Sequence, residues 1–333
     1  MSCARHPPRL RGIAAVALAC GCLALVTLAG AGPASSEAAA TACGASTFAT
    51  LAAVDATVVT DIYRNELAGT EVSFDLAQIT GAADLRGAVA AGNRAATLKA
   101  VSRIVFHPAW HIVRLRVLDA AGQILADVGG PYVIAPVSGV LRSGGRVIGR
   151  FVMSVQDDAG ETKLETRFVG DPIGIYLKDK LVAERYASFP AAPPGGSDLT
   201  LGGVRYHPIR ESYDAFPTGT LEEVVLLVTP PVSLTGQPCA TVRAGEFGRV
   251  AGRAARLAVS LPHHYHGYAT TVQIYTGADV FVRQGATQLA SSGGAGPAVL
   301  PSAGTVGYQG KTWLVFSFEP SPPARVYLLI PPG

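Results

Sequence analysis

The sequence predicts an α+β fold made of two halves, and three observations support this prediction. A helical pattern of apolar residues begins at residue 46. Short strand-like segments, separated by glycine and proline, follow that helix. The same order of elements then recurs beyond a Pro/Gly-rich segment at 187–199. We therefore expect a first domain at 43–186, a linker at 187–199 and a second, smaller α+β domain of similar order at 200–333.

In the first half, the longest predicted element is a helix at 46–67, with Phe48, Leu51, Val54, Val58 and Ile62 at helical spacing. Shorter helices are expected within 72–105. Antiparallel strands and one short helix follow, and the pattern assigns them to 111–118, 123–128, 138–142, 146–156, 160–168 (the helix) and 173–177.

The second half repeats this order less clearly. A helix is predicted at 241–259, and strands are predicted at 271–275, 279–283, 288–291, 304–308, 311–318 and 325–330. The strand at 113–118 and its Gly-Gly-Pro continuation resemble the pattern at 272–275 and the glycine-rich run at 293–297. This match predicts an internal duplication.

The composition excludes several classes of protein. Apolar residues make up 49% of the 333 residues and charged residues only 15%, which excludes a disordered acidic protein. The net charge is +3, and no segment concentrates lysine and arginine. We therefore expect no nucleic-acid partner.

The first 36 residues have the three parts of an export signal: a basic start, an apolar run at 12–32 and small residues at 33–36. The apolar run is about 18–20 residues long, so an uncleaved membrane anchor is the alternative to a cleaved signal peptide. Both alternatives predict a secreted or extracytoplasmic protein.

Cysteine usage agrees with that compartment. Three of the five cysteines lie in the signal, which leaves Cys43 and Cys239. A single pair in an oxidising compartment predicts a disulfide, and two buried thiols are the alternative. Each cysteine stands just before the long helix of its half, so a disulfide would join the starts of two helices.

Motifs within 107–155 resemble those of a known family. They are His-Pro-Ala-Trp-His at 107–111, Leu-Asp-Ala-Ala-Gly-Gln-Ile-Leu-Ala-Asp at 118–127 and a Val-Ile-Gly followed by an apolar strand at 145–155. This chain resembles the Cache domain, an extracellular sensor domain of the PAS-like folds, over residues 45–185. Residues 200–330 resemble a weaker second copy, as in a double Cache protein.

The resemblance implies a PAS-like five-stranded antiparallel sheet with a long N-terminal helix. It also implies that the protein binds a small extracellular molecule, such as an amino acid or another carboxylate. No effector segment or second membrane span follows in this sequence. Ligand capture, with a membrane-associated receptor as a possible partner, is therefore the expected role.

Alternation of side chains along strands predicts a binding face. Arg114 and Arg116 share one face of their strand, and Arg150, Ser154 and Gln156 share one face of a later strand. Guanidinium groups bind carboxylates through paired hydrogen bonds. The predicted ligand-binding residues are Trp110, Arg114, Arg116, Tyr132, Arg150, Ser154 and Gln156. The alternative is that this face is solvated, or that Asp119, Asp127, Asp157 and Asp158 neutralise the arginines.

Other chemistry is not predicted. Asp157 and Asp158 are interpreted as a turn that opens a helix, with Asp158 as its cap, rather than as a cation site. The histidines within 263–266 lack a local acidic or thiol partner for a metal. No Gly-x-Ser-x-Gly elbow or phosphate-binding loop is present. We therefore expect no catalytic residue, no metal and no cofactor.

The sequence thus predicts a secreted, sensor-like protein that binds an amino acid or organic anion and is not an enzyme. The alternative is a secreted structural or protein-interaction module without a ligand. A hydrolase whose residues come from distant segments is the third reading.

Overall fold

The computed structural model describes Cys43 and residues 46–230, 234, 236–258 and 265–331. The expected export signal, including its cleaved and anchored alternatives, lies outside the described residues, as do His263 and His264. Within the described residues, no helix is both long enough and apolar enough to cross a bilayer.

The helices confirm most of the helical predictions. They are α1 (Ser46–Ala68), α2 (Thr70–Gly81), α3 (Ala83–Ala90), α4 (Arg94–Val105), α5 (Asp158–Phe168), α6 (Cys239–Ala258) and α7 (Tyr265–Thr276).

All strands pair in antiparallel fashion. The strands are β1 (Arg114–Asp119), β2 (Ile124–Gly129), β3 (Val137–Ser143), β4 (Arg146–Ser154), β5 (Ile173–Leu177), β6 (Lys180–Arg185), β7 (Leu199–Leu201), β8 (Val204–Asp214), β9 (Thr220–Val228), β10 (Asp279–Gln284), β11 (Thr287–Ser291), β12 (Ala303–Tyr308), β13 (Lys311–Ser321) and β14 (Ala324–Ile330).

These strands form three sheets, so the predicted α+β class is confirmed. The first sheet has the order β2-β1-β4-β3, the second has β6-β5-β9-β8-β7, and the third has β11-β10-β14-β13-β12. The second and third sheets share one strand order. In each, the strand that comes first in the sequence lies between the strand that comes second and the strand that comes last.

The first sheet has four strands where we expected five. The expected last strand, β5, belongs to the second sheet instead, between β6 and β9. Both edges of β5 are hydrogen-bonded there, to β6 on one side and to β9 on the other. Both of its faces are also buried, through Ile173, Gly174, Ile175 and Tyr176.

The expected linker at 187–199 leads from β6 to β7, two strands of the second sheet. This segment is therefore a connection within one sheet rather than a connection between two. Residues 41–333 form one compact unit.

The expected strand at 271–275 is wrong, because these residues belong to α7. The buried positions of α7 are Tyr268, Ala269, Val272, Tyr275 and Thr276, which recur at helical spacing. The sequence match between 113–118 and 272–275 therefore compares a strand with a helix. What repeats in the fold is the strand order of the second and third sheets.

Two apolar clusters hold the fold. One packs α3 and α4 against the first sheet and contains Val89, Val101, Leu115, Phe151 and Met153. The other packs α1, α6 and α7 around the third sheet, with Val58, Ile62, Val250, Val272 and Leu328 fully or almost fully buried. Gly248 lets α6 approach the third sheet closely, because a Cβ there would lie 2.2 Å from the ring of Phe316.

The predicted disulfide is confirmed: Cys43 and Cys239 are bonded across 196 positions of sequence. The Cys43 amide also donates to the carbonyl of Gln237 at 2.7 Å. In the chain-entropy model, closing a loop of this size stabilises the folded chain by roughly 5 kcal/mol. The disulfide fits an extracytoplasmic protein.

Candidate functional site

The predicted arginine face exists in the first sheet. Arg114 pairs across the strands with Ser154, and Leu118 pairs with Arg150, so these side chains share a face with Arg116. That face is already occupied by an acid. Arg114 donates to both oxygens of Asp127, each at 3.0 Å, and Arg116 donates through Nε to the same carboxylate at 2.9 Å.

Further protein groups complete this arrangement. Arg114 Nη1 donates to the Gly130 carbonyl at 2.8 Å, and the guanidiniums of Arg114 and Arg116 lie over the Phe216 ring, 4.8 and 5.8 Å from its centre. Burial raises the pKa of Asp127, but hydrogen bonds from the two guanidiniums outweigh burial, and the net shift is downward. These contacts correspond to the structural-pair alternative stated for these arginines.

The polar residues of the next strand are engaged locally. Ser154 is buried and donates from Oγ to the Ile134 carbonyl at 2.5 Å, while the Gln156 amide donates to Ser154 Oγ at 3.1 Å. The side chain of Gln156 accepts from the Asp157 amide at 3.2 Å. The side chains of Ser154 and Gln156 are therefore used in hydrogen bonds to neighbouring protein groups at the end of β4.

The remaining predicted residues lie apart from this group. Trp110 stacks on His107 at 4.2 Å and packs against the cluster on the helix-covered face of the first sheet, opposite the arginines. Tyr132 is 41% exposed, and Arg150 is exposed at a shallow pocket of about 290 Å³ beside β3. The structure therefore does not gather the predicted residues around one ligand.

The acidic turn before α5 is a helix cap, as expected, but the capping residue differs. Asp157 rather than Asp158 accepts from the Gly160 amide, at 2.6 Å. The reason is the helix start: α5 begins at Asp158, so the preceding residue is the one whose side chain reaches the third amide.

A larger groove, of about 650 Å³, lies between α1 and α6. Its lining residues are mostly small or apolar: Ala49, Thr50, Ala53, Val54, Thr57, Cys239, Ala240, Arg243, Phe247 and Leu314. Those on α1 recur every three or four residues and therefore share one helix face. Because alanine ends at Cβ, this face leaves space against α6.

One cation lies in the groove. Arg243 is half-buried, its guanidinium lies 5.5 Å from the centre of the Phe247 ring, and its Nη1 donates to the Pro331 carbonyl at 3.3 Å. Among the residues described here, no carboxylate lies within ion-pair distance of Arg243. The disulfide borders the same groove through Cys239. An apolar wall beside one unpaired guanidinium suits a carboxylate with an apolar body.

Sequence reasoning missed this groove. The signal for it was the series Ala49, Ala53 and Thr57, which places small side chains one turn apart on a helix whose other face is strongly apolar. Arg243 follows Cys239 by four residues and therefore lies on the same face of α6. Neither pattern identifies the partner helix, which comes from a segment almost 200 positions away.

Three largely buried acids surround a half-buried arginine of α6. Arg249 of α6 donates through Nε to Glu246 at 2.8 Å, and its Nη2 lies 3.3 Å from Asp55 and 3.6 Å from Asp171. Burial is the main cause that raises the pKa of Asp55, and the charge of Glu246 adds to it. We call these four residues the arginine cluster.

Comparisons with known proteins leave the resemblance to the Cache domain as a prediction. Among the described residues, the groove between α1 and α6 is characterised by small side chains, a disulfide at its border and one guanidinium without a carboxylate partner. No protein-family model matches this chain, and no curated protein matches it.

Proposed function

We propose that this is an extracytoplasmic binding protein that holds a small organic carboxylate in the groove between α1 and α6. The observation that carries the proposal is Arg243, a guanidinium without a carboxylate partner among the described residues, beside apolar walls. The export signal in the sequence and the Cys43–Cys239 disulfide support the compartment. The proposed role is capture without turnover, with a membrane-associated receptor as the partner that receives the ligand.

The groove supports this role better than the arginine face of the first sheet. There, a ligand carboxylate would have to displace Asp127 from both Arg114 and Arg116, which hold it at 2.6–3.0 Å. Separating Asp127 from two half-buried guanidiniums costs more free energy than the ligand carboxylate recovers by binding to them. At Arg243, a ligand carboxylate would displace no carboxylate of the described residues.

The lining also selects the class of ligand. The groove residues include one guanidinium and no aspartate or glutamate. An amino acid would bring an ammonium group for which the lining offers no carboxylate. We therefore favour a monocarboxylate with an apolar body, such as a medium-chain or aromatic acid, over a free amino acid.

The test is a thermal-shift screen of the folded, disulfide-bonded protein against aliphatic acids, aromatic acids and amino acids. A ligand at one hundred times its Kd stabilises the folded state by about 2.7 kcal/mol, which raises Tm by about 5 °C or more for a chain of this size. We expect monocarboxylates to give the largest shifts.

Variants locate the site. Arg243→Ala removes the guanidinium, and Ala53→Trp fills the space along α1, so each should abolish the shift given by an acid. Arg150→Ala is the matched control, since it removes an exposed arginine of the first sheet and should leave the shift intact. A screen without any shift, or an equal shift in Arg243→Ala, would reject the proposal and favour an interaction module without a ligand.

A further inference from the structure

Three glutamates are buried together between α5 and the second sheet. Glu161 and Glu165 lie one turn apart on α5, and Glu223 lies on β9. All three are fully buried, and one carboxylate oxygen from each lies within 4.8 Å of the other two. We call these three residues the glutamate cluster.

The fold places Glu223 in an apolar environment. Its cross-strand neighbours are Ile175 on β5 and Glu211 on β8. Leu221 and Val225 occupy the same face of β9, because side chains two positions apart point to the same side. Both are almost fully buried in apolar clusters. A carboxylate at this position is costly unless something compensates its charge.

No positively charged group of the described residues supplies that compensation. The six oxygens of the glutamate cluster interact with one another and with the Tyr213 hydroxyl, and no lysine, arginine or histidine of the described residues forms an ion pair with them. The nearby titratable groups are also acidic: Glu66 from α1, Asp158 from α5 and Glu211 from β8. Burial is the main cause that raises the pKa of Glu161 and Glu165, and repulsion from Glu223 adds to it.

A second polar side chain is directed at the same place. Tyr213 is 5% exposed, and among the described residues its hydroxyl has no hydrogen-bond partner outside the glutamate cluster. It lies on the same face of the second sheet as Glu223, and its ring is fixed by stacking on Tyr63 at 4.1 Å. Burial raises the pKa of Tyr213, and the negative charges of Glu223, Glu165 and Glu161 raise it further.

The donor atoms indicate the class of ligand. Carboxylate and phenol oxygens are hard ligands that suit Ca²⁺, Mg²⁺ or Mn²⁺, whereas zinc and copper sites use histidine or cysteine. Ca²⁺–oxygen bonds of about 2.3–2.6 Å allow two ligand oxygens to lie up to about 5 Å apart, but Mg²⁺ bonds of about 2.1 Å allow only about 4.2 Å. The three oxygens lie within 4.8 Å of one another, which Ca²⁺ can bridge. Ca²⁺ also suits a fully buried set of protein oxygens better, because Mg²⁺ usually keeps several bound waters.

We propose that Glu161, Glu165, Glu223 and Tyr213 form a buried Ca²⁺ site that joins α5 to the second sheet. Three carboxylates and a phenol offer up to seven oxygens, which meets the six to eight that Ca²⁺ requires. The ion supplies the positive charge that no side chain supplies. The sequence analysis weighed a cation only at Asp157 and Asp158, and missed this site because Glu223 lies more than 50 positions beyond α5.

The experiment uses the intact, disulfide-bonded chain. It is dialysed against EDTA and then against Ca²⁺ or Mg²⁺ at ~1 mM, the range in which extracellular sites bind Ca²⁺. Bound metal is counted by atomic emission after removal of free ions, and Tm is recorded for each sample. We expect one Ca²⁺ per chain and a Tm that is higher by about 1–2 °C in Ca²⁺ than in EDTA, with a smaller rise in Mg²⁺.

Two variants and a matched control decide whether the glutamate cluster is the site. Glu165→Gln and Glu223→Gln keep the shape of the side chain but remove its charge, so each should lose both the bound Ca²⁺ and the Tm rise. Glu246→Gln makes the same change in the arginine cluster and should keep both the bound Ca²⁺ and the Tm rise.

The proposal is overturned if the wild type binds no Ca²⁺ and shows no Tm rise, if Glu165→Gln or Glu223→Gln retains the bound ion, or if Mg²⁺ gives the larger Tm rise. If one glutamine variant fails to fold, the other variant and the metal count of the wild type still give the answer.

Discussion

Two buried groups of three carboxyls lie in this protein, and they differ by one arginine. In the arginine cluster, Asp55, Asp171 and Glu246 surround Arg249. In the glutamate cluster, three carboxyls meet with no basic group among the described residues. Burial penalises a charge in both places, so the difference separates a cluster that contains its own cation from one in which the Ca²⁺ ion that we propose supplies it.

The arginine cluster has the features of a structural element. Arg249 contacts all three acids and also donates to the carbonyl of Val169 at the end of α5. Burial lowers the pKa of Arg249, but the hydrogen bond and charges of its acidic neighbours outweigh burial, and the net shift is upward. The group thus ties α1, α5 and α6 together without any ligand.

The largest effect is expected from removing the arginine. Arg249→Met leaves three acids without their cation. Breaking a fully buried ion pair on one side costs about 3–5 kcal/mol, but the Arg249 side chain is 37% exposed, so we expect a loss of about 2–3 kcal/mol. Denaturant unfolding should report a loss of that size. Arg253→Met is the comparison one turn further along α6, because Arg253 forms no ion pair among the described residues, acts on Asp171 only through its charge, and donates through Nη2 to the Thr166 carbonyl at 3.2 Å. The free energy of unfolding of Arg253→Met should fall by less than about 1 kcal/mol. A similar loss in both variants would contradict the role given to Arg249.

An intermediate effect is expected when one glutamate in each cluster is replaced by methionine. The free energy of unfolding should change in opposite directions in the two variants. Glu165→Met removes a buried acid without a partner, so in EDTA it should raise the free energy of unfolding by about 1–2 kcal/mol. Glu246→Met removes a partner of Arg249 and should lower it by about 1–3 kcal/mol. Both are measured by denaturant unfolding at neutral pH. The comparison fails if both variants are destabilised equally.

The smallest effect concerns pH and the arginine cluster. Burial raises the pKa of Asp171 to about 6, although Arg249 acts to lower it. Between the unfolded pKa of about 4 and this value, the folded chain binds more protons than the unfolded chain, so stability falls as pH rises across that interval. Asp171→Asn should remove about 1 kcal/mol of the stability difference between pH 5 and pH 6, measured by comparing unfolding curves of the variant and the wild type at those two pH values. Parallel curves for the two proteins would show that Asp171 does not carry it.

Local patterns predicted much of the fold. The apolar stripe of α1, the strands of the first sheet and the Cys43–Cys239 pair follow from spacing and residue type, and the structure confirms them. The prediction of a strand at 271–275 was wrong because β-branched and aromatic residues also occur in buried helices. Five residues are too few to distinguish the alternation of a strand from the spacing of a helix. Strands β7, β8 and β9 were not predicted, and with them the second sheet was missed.

The candidate sites were less predictable because they depend on contacts between distant segments. Alternation placed Arg114 and Arg116 on one face, but the Asp127 carboxylate between them depends on the register of β1 against β2. The groove needs α1 beside α6, and the glutamate cluster needs α5 against β9. Glu161 and Glu165 were visible as an acidic pair at helical spacing, but the sequence does not show that they face the core.

The connection at 187–199 and the disulfide together determine how the chain would respond to a single proteolytic cut. A protease that cleaved within this connection would leave β5 hydrogen-bonded to β9 in the second sheet, with β6 still paired to β5. The two fragments would also stay covalently linked, because Cys43 and Cys239 lie on opposite sides of the cut. The nicked protein would therefore migrate as one species in non-reducing electrophoresis and separate into two only after reduction.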